Sequence, residues 1–315
     1  MPRVSVLVPT FRYAAYLDAA IHSVLEQDFT DFELIISDDA SGDGSAEKMA
    51  GYVQKDSRVR SFVQPKNLGM VANWNWCLNQ AQGTYIKYLF GDDYLANPQA
   101  LGRLVRALEE NSSAVLATGK RIWVDERGQA VFTPDGMPRE GMQSGAEAIA
   151  ICMRADRNLI GEPSAILFRA SAGARGYDST FRQLVDLEMW YHLLQSGDLV
   201  TVPETVLAFR VHSRQQTQVN SQSRIASVET LRLVSRYHSF FRGAFPGQGF
   251  FSAYARRVTR VIYYARKQQP RPAEAEFAEA ELIRKIGRGT FWRCLWLHRL
   301  TKPFENLSRK FKRSG

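Results

Sequence analysis

Two pairs of adjacent aspartates are the part of the sequence best suited to chemistry. Asp38–Asp39 and Asp92–Asp93 each come after a short apolar run. Adjacent carboxylates repel each other unless a cation or several hydrogen-bond donors compensate them. A divalent ion does so, because Mg²⁺ usually takes one or two carboxylates and completes its shell with phosphate oxygens and water. The alternative of two ordinary acidic turns loses weight because the pair recurs at two predicted strand ends.

Side chains suited to binding a nucleotide follow the first predicted strand, as the first aspartate pair follows the second. Pro9, Thr10 and Phe11 follow the first apolar run of the chain. An aromatic ring offers a stacking face worth about 1 to 3 kcal/mol per base, and an aspartate can accept a hydrogen bond from a base or a ribose hydroxyl. The competing interpretation is that residues 37–45 form only a polar turn that caps the next helix.

The elements that must position these residues alternate along the first part of the chain. Val4–Val8 and Phe32–Ile36 are short, apolar and β-branched, which is typical of strands buried in a parallel sheet. Residue spacing predicts further elements in this order: helix Tyr16–Gln27, helix Ala46–Tyr52, strand Val59–Val63, helix Met70–Ala81 and strand Tyr85–Phe90. In such an α/β sheet the ligand lies beyond the carboxyl ends of the strands, where the aspartates are.

The chain is predicted to form two domains. Strand-like runs at 114–118, 165–168 and 206–211 and a helix at 183–195 continue the first pattern, which predicts an α/β domain at 1–220 with a mostly parallel central sheet flanked by helices. Beyond Asn220 the pattern is wholly helical, which predicts a C-terminal helical region at 221–315. Two prolines in Gln268–Ala273 predict a break between its helices.

Composition excludes several classes of protein. The chain has 315 residues, 45% of them hydrophobic, which is enough for a sizeable core. Three scattered cysteines suit neither a disulfide framework nor a zinc site, and they favour a reducing cytosol. No apolar run approaches the roughly 20 residues that cross a bilayer, and the first residues lack the features of a signal peptide. We therefore expect no membrane-spanning segment.

The net charge of +9 is concentrated at the end of the chain. From Phe251 to Gly315 there are 16 Lys and Arg against 5 Glu, whereas the rest carries 25 basic and 27 acidic residues. This distribution argues against a nucleic-acid surface across the whole protein. Aromatic and leucine side chains alternate with the arginines of this region, namely Tyr254, Tyr263, Tyr264, Phe291, Trp292, Trp296 and Leu300. The pattern predicts a helix lying on an anionic membrane, and the alternative is that these side chains pack onto the first domain.

Three stretches resemble family 2 glycosyltransferases, which have the GT-A fold: Val4–Ser45, Asn67–Leu95 and Gly176–Leu194. The resemblance extends from about Pro2 to Thr217, and the order and separation of its motifs make it specific. It implies an inverting, nonprocessive bacterial-type enzyme that transfers a sugar from a nucleotide diphosphate, with UDP favoured over a thymidine nucleotide. The implied acceptor is a hydroxyl group of a saccharide or a lipid-linked saccharide in surface polysaccharide synthesis. The Q-x-x-R-W motif of processive synthases is absent.

The resemblance also implies roles for individual residues. The residues implied in nucleotide binding are Pro9, Thr10, Phe11, Asp38, Asp39, Asn67, Gly69 and Asp92. Phe11 is expected to stack on the base, Asp39 to bind it and Asp92 to face the ribose. Asp93 is expected to hold Mg²⁺ or Mn²⁺ with His212 as a further ligand, while Arg210 or Arg214 neutralises the phosphate. A lone histidine after a strand is more often structural.

The catalytic base is Asp186 by the same resemblance, with Glu188 as the local competitor. The structural alternative is a carboxylate that caps a helix. The sequence departs from the family at two places: Phe90 replaces the first aspartate of the D-x-D-D metal motif, and Val185 replaces the acidic residue before Asp186. We therefore expect Asp93 to carry more of the metal binding, and the assignment of the base depends on Asp186.

Three alternatives to this function remain open. A nucleotidyltransferase would need a glycine-rich basic loop after the first strand, and Pro9–Tyr13 contains no glycine. A noncatalytic nucleotide-sugar-binding module would keep the fold without turnover, and a nucleic-acid-binding tail would show steep salt dependence. The favoured hypothesis predicts three partners: a nucleotide sugar, a saccharide or lipid-linked acceptor, and an anionic membrane. It predicts no nucleic-acid partner, and it places the protein in the cytoplasm at the inner face of the cytoplasmic membrane. Selectivity is expected to depend on Asp135–Ser164, which has no recognisable motif.

Overall fold

The computed structural model describes residues 1–213, 215, 225–246, 252–267 and 273–311, the last eleven as backbone only. The chain divides into two compact units, Met1–Gln215 and Gln216–Gly315. The predicted domain boundary at Asn220 and most of the predicted helix break at 268–273 lie outside the described residues.

Strands of the first unit form a single mixed sheet. Their bounds are Val4–Thr10 (β1), Phe32–Asp38 (β2), Val59–Val63 (β3), Tyr85–Tyr88 (β4), Tyr94–Leu95 (β5), Ala114–Val124 (β6), Ala130–Phe132 (β7), Gly141–Gln143 (β8), Leu167–Arg169 (β9) and Asp198–Arg210 (β10). The order is β3-β2-β1-β4-β9-β6-β10-β5, with β7 paired to β6 and β8 to β10. Strands β1 to β4 are mutually parallel, β6 is parallel to β10, and β9 is antiparallel to β4 and β6.

Helices flank this sheet, as the predicted α/β class requires. Their bounds are Ala14–Leu25 (α1), Ser45–Lys55 (α2), Met70–Gln80 (α3), Ala100–Glu110 (α4), Gly145–Ala155 (α5) and Val185–Leu193 (α6), with a 3₁₀ turn at Pro163–Ala165. Helix α1 buries Leu17, Ala20, Ile21 and Val24, because residues three and four apart share one face. These side chains join apolar residues of β1, β2 and α4 in the main core.

The first two strands are longer than the sequence predicts, and this changes where two groups of site residues lie. Pro9 and Thr10 belong to β1 and Asp38 ends β2, whereas we expected all three to follow their strands. The extension arises because parallel pairing continues through Pro9–Ser37 and Thr10–Asp38. The Asp39 amide then donates to the Thr10 carbonyl at 2.9 Å, so the strand pair ends at Asp39.

The described part of the second unit is helical. Its helices are Ile225–Arg236 (α7), His238–Ala244 (α8), Ala253–Ala265 (α9), Ala273–Ile286 (α10) and Arg288–Phe311 (α11). Helix α9 buries apolar side chains at helical spacing, among them Val258, Val261, Ile262 and Ala265. Among the described residues, no helix combines the length and the apolar character needed to cross a membrane.

Candidate active site

The carboxyl edge of the parallel strands brings the predicted nucleotide residues together. Thr10 ends β1 directly beside Asp38 at the end of β2, because the two strands are parallel and in register. The turn after β4 meets the same edge, where a Cβ atom on Gly91 would lie 2.7 Å from Thr10 Oγ1. Glycine at position 91 therefore lets the loop that carries Asp92 and Asp93 approach β1.

Asp39 holds the second predicted nucleotide segment in place. Its Oδ1 accepts from the Leu68 amide at 2.6 Å and its Oδ2 from the Gly69 amide at 3.0 Å. Asn67 Nδ2 donates to the Asp39 carbonyl at 3.1 Å. Gly69 has a φ of 87°, which a glycine adopts without strain. The structure therefore joins Asp39, Asn67 and Gly69, and their contact with a base stays a prediction.

Asp38 organises the loop that carries Phe11. Its carboxylate accepts from both the hydroxyl and the amide of Ser41, and the Ser41 hydroxyl accepts from the Arg12 amide at 2.8 Å. The Phe11 side chain is partly exposed, with the Arg12 guanidinium 5.0 Å from its ring centroid. Pro9 is buried within β1. Phe11 thus keeps an accessible aromatic surface at the strand edge, and its stacking on a base stays a prediction.

The second aspartate pair is packed against the end of β10. Asp93 Oδ1 accepts from the Arg210 amide at 3.0 Å, and Asp92 Oδ2 lies 3.0 Å from His212 Nε2. The Arg210 guanidinium donates to the carbonyls of Asp92, Asp125 and Glu126 at 2.8 to 3.1 Å. Arg210 therefore positions Gly91–Asp93, here called the aspartate turn, through the backbone. Its contact with phosphate stays a prediction.

His212 is buried, and the side chain that it contacts is that of Asp92, the neighbour of the predicted metal ligand Asp93. Its ring centroid lies 5.6 Å from that of Tyr13 and 5.0 Å from that of Tyr16. Among the described residues, no group of three or more His, Cys, Asp or Glu side chains is arranged to hold a metal ion. A metal-ligand role for His212 stays a prediction, and Arg214 lies outside the described residues.

Asp93 is an unusual buried carboxylate. Burial, followed by the negative charge of Asp92, raises the pKa of Asp93 well above its usual value. The Ser164 hydroxyl and the Arg210 amide oppose this rise, whereas the buried Oδ2 has no partner at hydrogen-bond geometry among the described residues. A buried anionic oxygen without a partner is costly, and a divalent cation bound there would compensate it. The residues present therefore fit an ion that takes one protein carboxylate and completes its shell with phosphate and water.

Lys87 is a buried cation close to this carboxylate, and sequence analysis missed it. Its ammonium group donates to the Ser164 carbonyl, and its side chain is fully buried in the sheet. Burial lowers the pKa of Lys87 to about 7, and the charge of Asp93 acts in the opposite direction. A lysine in an otherwise apolar strand is a signal that could have identified this residue.

Phe90 occupies the place of the missing aspartate for a packing reason. Its ring stacks on Trp74 with centroids 4.7 Å apart and an interplanar angle of 26°. Its amide donates to Ser164 Oγ at 3.1 Å. The position thus supports the aspartate turn through an aromatic contact, which a carboxylate could not make.

Asp186 lies near the start of α6 and is surrounded by protein while keeping some access to solvent. Its Oδ2 accepts from Asn158 Nδ2 at 2.9 Å, and its Oδ1 accepts from the Leu187 amide at 2.7 Å. Burial raises the pKa of Asp186 to about 6; the negative charge of Glu162 adds to this, while the two hydrogen bonds oppose it. A carboxylate with such a pKa is a stronger base than an ordinary aspartate.

Glu188, the local competitor, has a structural role in this fold. Its side chain is fully buried and forms a two-pronged ion pair with Arg175, at 2.9 and 2.6 Å. A carboxylate committed to an arginine in this way is a poor proton acceptor. The structure thus favours Asp186 of the two, and the role of Asp186 as base stays a prediction.

Comparisons with known proteins agree with this architecture. The sequence profile described as Glycosyl transferase family 2 matches residues 5–154. A protein of Mycobacterium tuberculosis without an assigned activity is 30% identical over 220 residues, 67% of this chain and 68% of its own length. A putative teichuronic acid biosynthesis glycosyltransferase of Bacillus subtilis is 28% identical over 62% of this chain and 73% of its own. A Campylobacter jejuni enzyme named GalNAc(5)-diNAcBac-PP-undecaprenol beta-1,3-glucosyltransferase is 37% identical over 36% of this chain and 37% of its own.

Solved structures share the fold. S. aureus TarS 1–349 in complex with UDP-GlcNAc aligns with a TM-score of 0.65 at 16% identity, covering 92% of this chain and 83% of its own. The mannosyltransferase PcManGT of Pyrobaculum calidifontis, in complex with GDP-Man and Mn²⁺, aligns with a TM-score of 0.57 at 15% identity, covering 97% and 87%. At such identities the likeness concerns the fold, which is that of GT-A glycosyltransferases. The matched family profile, the named relatives and this shared fold together show that the chain belongs to glycosyltransferase family 2.

Proposed function

We propose that this glycosyltransferase is an inverting, nonprocessive enzyme that transfers a sugar from a nucleoside diphosphate sugar, with UDP-sugars favoured. The observation that carries the proposal is that the first unit contains two buried carboxylates, Asp93 and Asp186, whose surroundings differ. Asp93 has a buried oxygen without a hydrogen-bond partner among the described residues, and Asp186 has a pKa raised to about 6 by burial. Both carboxylates are within electrostatic range of Glu162. Paired carboxylates with such different surroundings suit a metal ligand and a base.

In the proposed reaction Asp186 takes the proton of the acceptor hydroxyl. The acceptor oxygen forms a bond to the anomeric carbon as the bond from that carbon to the diphosphate breaks, so the configuration inverts. The electron pair of the broken bond leaves with the nucleoside diphosphate. The hydrogen bonds from Asn158 and the Leu187 amide keep the Asp186 carboxylate in one orientation. This geometry suits a base that acts directly on the acceptor.

Asp93 is the residue that would hold the divalent cation, with Asp92 beside it. When bound, Mn²⁺ or Mg²⁺ would supply charge compensation for the diphosphate. The mannosyltransferase with the same fold binds Mn²⁺ with its nucleotide sugar, which supports this assignment. Arg210 holds the aspartate turn by donating to the Asp92 carbonyl, and Lys87 donates to the carbonyl of Ser164, whose hydroxyl accepts from the Phe90 amide. The relatives named for polysaccharide and undecaprenol-linked substrates support a saccharide or lipid-linked acceptor for this chain as well.

The second unit offers a surface for the membrane on which such an acceptor would lie. Trp292, Trp296 and Leu300 recur every four residues on α11 and are 58, 65 and 50% exposed. Phe291 and Leu295 of the same helix are buried, as is Tyr254 on α9, so only part of the predicted aromatic set is accessible. Arg288, Arg293 and Arg299 are exposed on the same helix. Exposed tryptophan with neighbouring arginine suits the headgroup region of an anionic leaflet.

A nucleotide-sugar panel with and without Mn²⁺ tests the proposed chemistry. We expect metal-dependent transfer or slow hydrolysis of one UDP-sugar, abolished by Asp93→Ala and by Asp186→Ala. Asp31→Asn, which alters an exposed carboxylate at the opposite end of β2, is the control and is expected to leave turnover unchanged. Binding without turnover in the wild type would instead support the noncatalytic alternative.

The membrane surface is tested with vesicles of phosphatidylcholine and phosphatidylglycerol. The double variant Trp292→Ser, Trp296→Ser is expected to lower vesicle affinity by about tenfold or more, because each buried aromatic contributes on the order of 1.5 to 3 kcal/mol. Phe277→Ser is the control, because Phe277 is 74% exposed on α10. Equal loss in both variants would assign the binding to general hydrophobicity instead of to this face of α11.

A further inference from the structure

A short segment, residues 158–165, connects the two halves of the site. At one end Asn158 donates to the Asp186 carboxylate and to the Gly161 carbonyl, both at 2.9 Å. Trp190 Nε1 also donates to the Gly161 carbonyl at 2.9 Å. At the other end Ser164 accepts from the Phe90 amide through its hydroxyl and from Lys87 through its carbonyl. The segment thus links the candidate base to the aspartate turn through direct hydrogen bonds.

Glu162 lies in the middle of this segment. Its backbone is fixed, because its carbonyl accepts from the Ala165 amide at 2.8 Å and Gly161 before it is held on both sides. Its carboxylate raises the pKa of Asp186, the candidate base. A second negative charge within range of Asp186 disfavours the ionised state of that carboxylate. The fold therefore maintains Glu162 here at an electrostatic cost.

Arg121 of β6 compensates Glu162. Arg121 Nε and Glu162 Oε2 are 2.6 Å apart, an ion pair whose geometry departs from a linear hydrogen bond. The Arg121 side chain is 4% exposed and the Glu162 side chain 25% exposed. Arg121 also donates to the Asp135 carbonyl at 3.3 Å. A buried arginine thus fixes one carboxylate oxygen of Glu162 while part of the side chain faces solvent.

We propose that Glu162, held by Arg121, binds hydroxyl groups of the donor sugar and helps to select that sugar. The inference rests on the proposed function, in which the sugar ring lies between the ion at Asp93 and the base at Asp186. A carboxylate accepts hydrogen bonds from vicinal hydroxyls, and a site built for a particular hydroxyl rejects a sugar that lacks it. Glu162 lies within Asp135–Ser164, the segment expected to govern selectivity.

An arginine–glutamate pair at the surface provides a matched control. Arg3 donates to Glu109 at 2.9 and 2.5 Å, with side chains 46 and 40% exposed. The Arg3–Glu109 pair has the same chemistry as Arg121–Glu162 without the burial, and its neighbouring aspartate is the exposed Asp31 instead of a candidate site residue. Glu109→Gln is therefore expected to leave donor binding unchanged.

The experiment compares the binding of UDP with that of UDP-glucose, UDP-galactose and UDP-GlcNAc by calorimetry in Mn²⁺. We expect Glu162→Gln to leave UDP affinity unchanged and to weaken the preferred UDP-sugar by about 10- to 100-fold, since a hydrogen bond to a charged group is lost. Glu162→Asp, which keeps the charge but shortens the side chain, is expected to change the ranking of the three sugars. Unchanged UDP affinity also reports that each variant is folded.

Three outcomes would overturn the inference. If Glu162→Gln binds the preferred UDP-sugar as tightly as the wild type, Glu162 does not contact the sugar. If UDP and UDP-sugar weaken equally in both Glu162 variants, the residue acts on the structure of the site. If the wild type binds neither UDP nor any of the three UDP-sugars in Mn²⁺, the proposed function fails together with this inference.

Discussion

The two halves of the active site are built in different ways. The half that contains Asp39 and Asp93 lies where neighbouring parallel strands end, and each residue follows or ends a buried strand. The half that contains Glu162 and Asp186 comes from an irregular segment and the start of a helix. Regular pairing places the first half, whereas individual hydrogen bonds place the second. The comparison indicates that variants in the first half will affect binding of the nucleotide and the ion, and that variants in the second will affect chemistry and recognition of the sugar.

The largest expected effect is a loss of turnover in a variant of the second half, compared with a loss of metal-dependent binding in a variant of the first. Asp186→Asn is expected to lower kcat by about 10²- to 10⁴-fold with little change in donor affinity, because it removes only the base. Asp93→Asn is expected to abolish the Mn²⁺-dependent part of donor binding. Steady-state kinetics and calorimetry measure the two quantities. The comparison fails if both variants lose donor binding to the same extent.

The next prediction contrasts two acidic residues on the same helix. Glu188→Gln is expected to lower the free energy of unfolding by about 2 to 4 kcal/mol, because it removes the buried negative charge that pairs with Arg175. Asp186→Asn is expected to unfold no more easily than the wild type near neutral pH. Chemical denaturation measures both. A stable and inactive Glu188→Gln variant would show that Glu188 acts in the chemistry.

A pH-dependent stability follows from the raised pKa of Asp186. The folded state holds this proton more tightly than the unfolded state, so the contribution of Asp186 to stability falls as pH rises through about 6. Relative to the wild type, Asp186→Asn should therefore gain about 2 to 3 kcal/mol in unfolding free energy between pH 4 and pH 7. A difference between the two proteins that is independent of pH would mean that Asp186 titrates normally.

The smallest expected effect concerns the link between the halves. Asn158→Ala removes a hydrogen bond that favours the ionised form of Asp186, so the pKa of Asp186 should rise further. The acid limb of the kcat/KM profile, which we expect near pH 6 in the wild type, should then move to higher pH. Turnover well above that limb should fall by only about a fewfold. If the acid limb does not move, the hydrogen bond from Asn158 does not affect the pKa of the catalytic base.

The two halves also differed in how well sequence could predict them. The strand-edge residues could be placed early because a run such as Val4–Val8 predicts a buried strand, and parallel strands end at a common edge. The lengths of β1 and β2 were each wrong by two residues, since pairing continued through Pro9–Ser37 and Thr10–Asp38. The ion pair between Glu162 and Arg121 could not be predicted from the sequence. The two residues are 41 positions apart, and only the folded sheet brings Arg121 of β6 next to Glu162. Periodicity carries no information about such a contact.

The sequence by itself determined the α/β class, the family and the aspartates at the strand ends, because short-range patterns of apolar and polar residues encode strands and their order. The tertiary structure alone decided which carboxylates are paired with a protein cation and which can bind an ion or accept a proton. Glu188 is neutralised by Arg175, whereas Asp93 keeps one buried oxygen without a hydrogen-bond partner among the described residues. The physical reason is that burial and long-range partners set the charge and reactivity of a carboxylate, and neither is visible until the chain is folded.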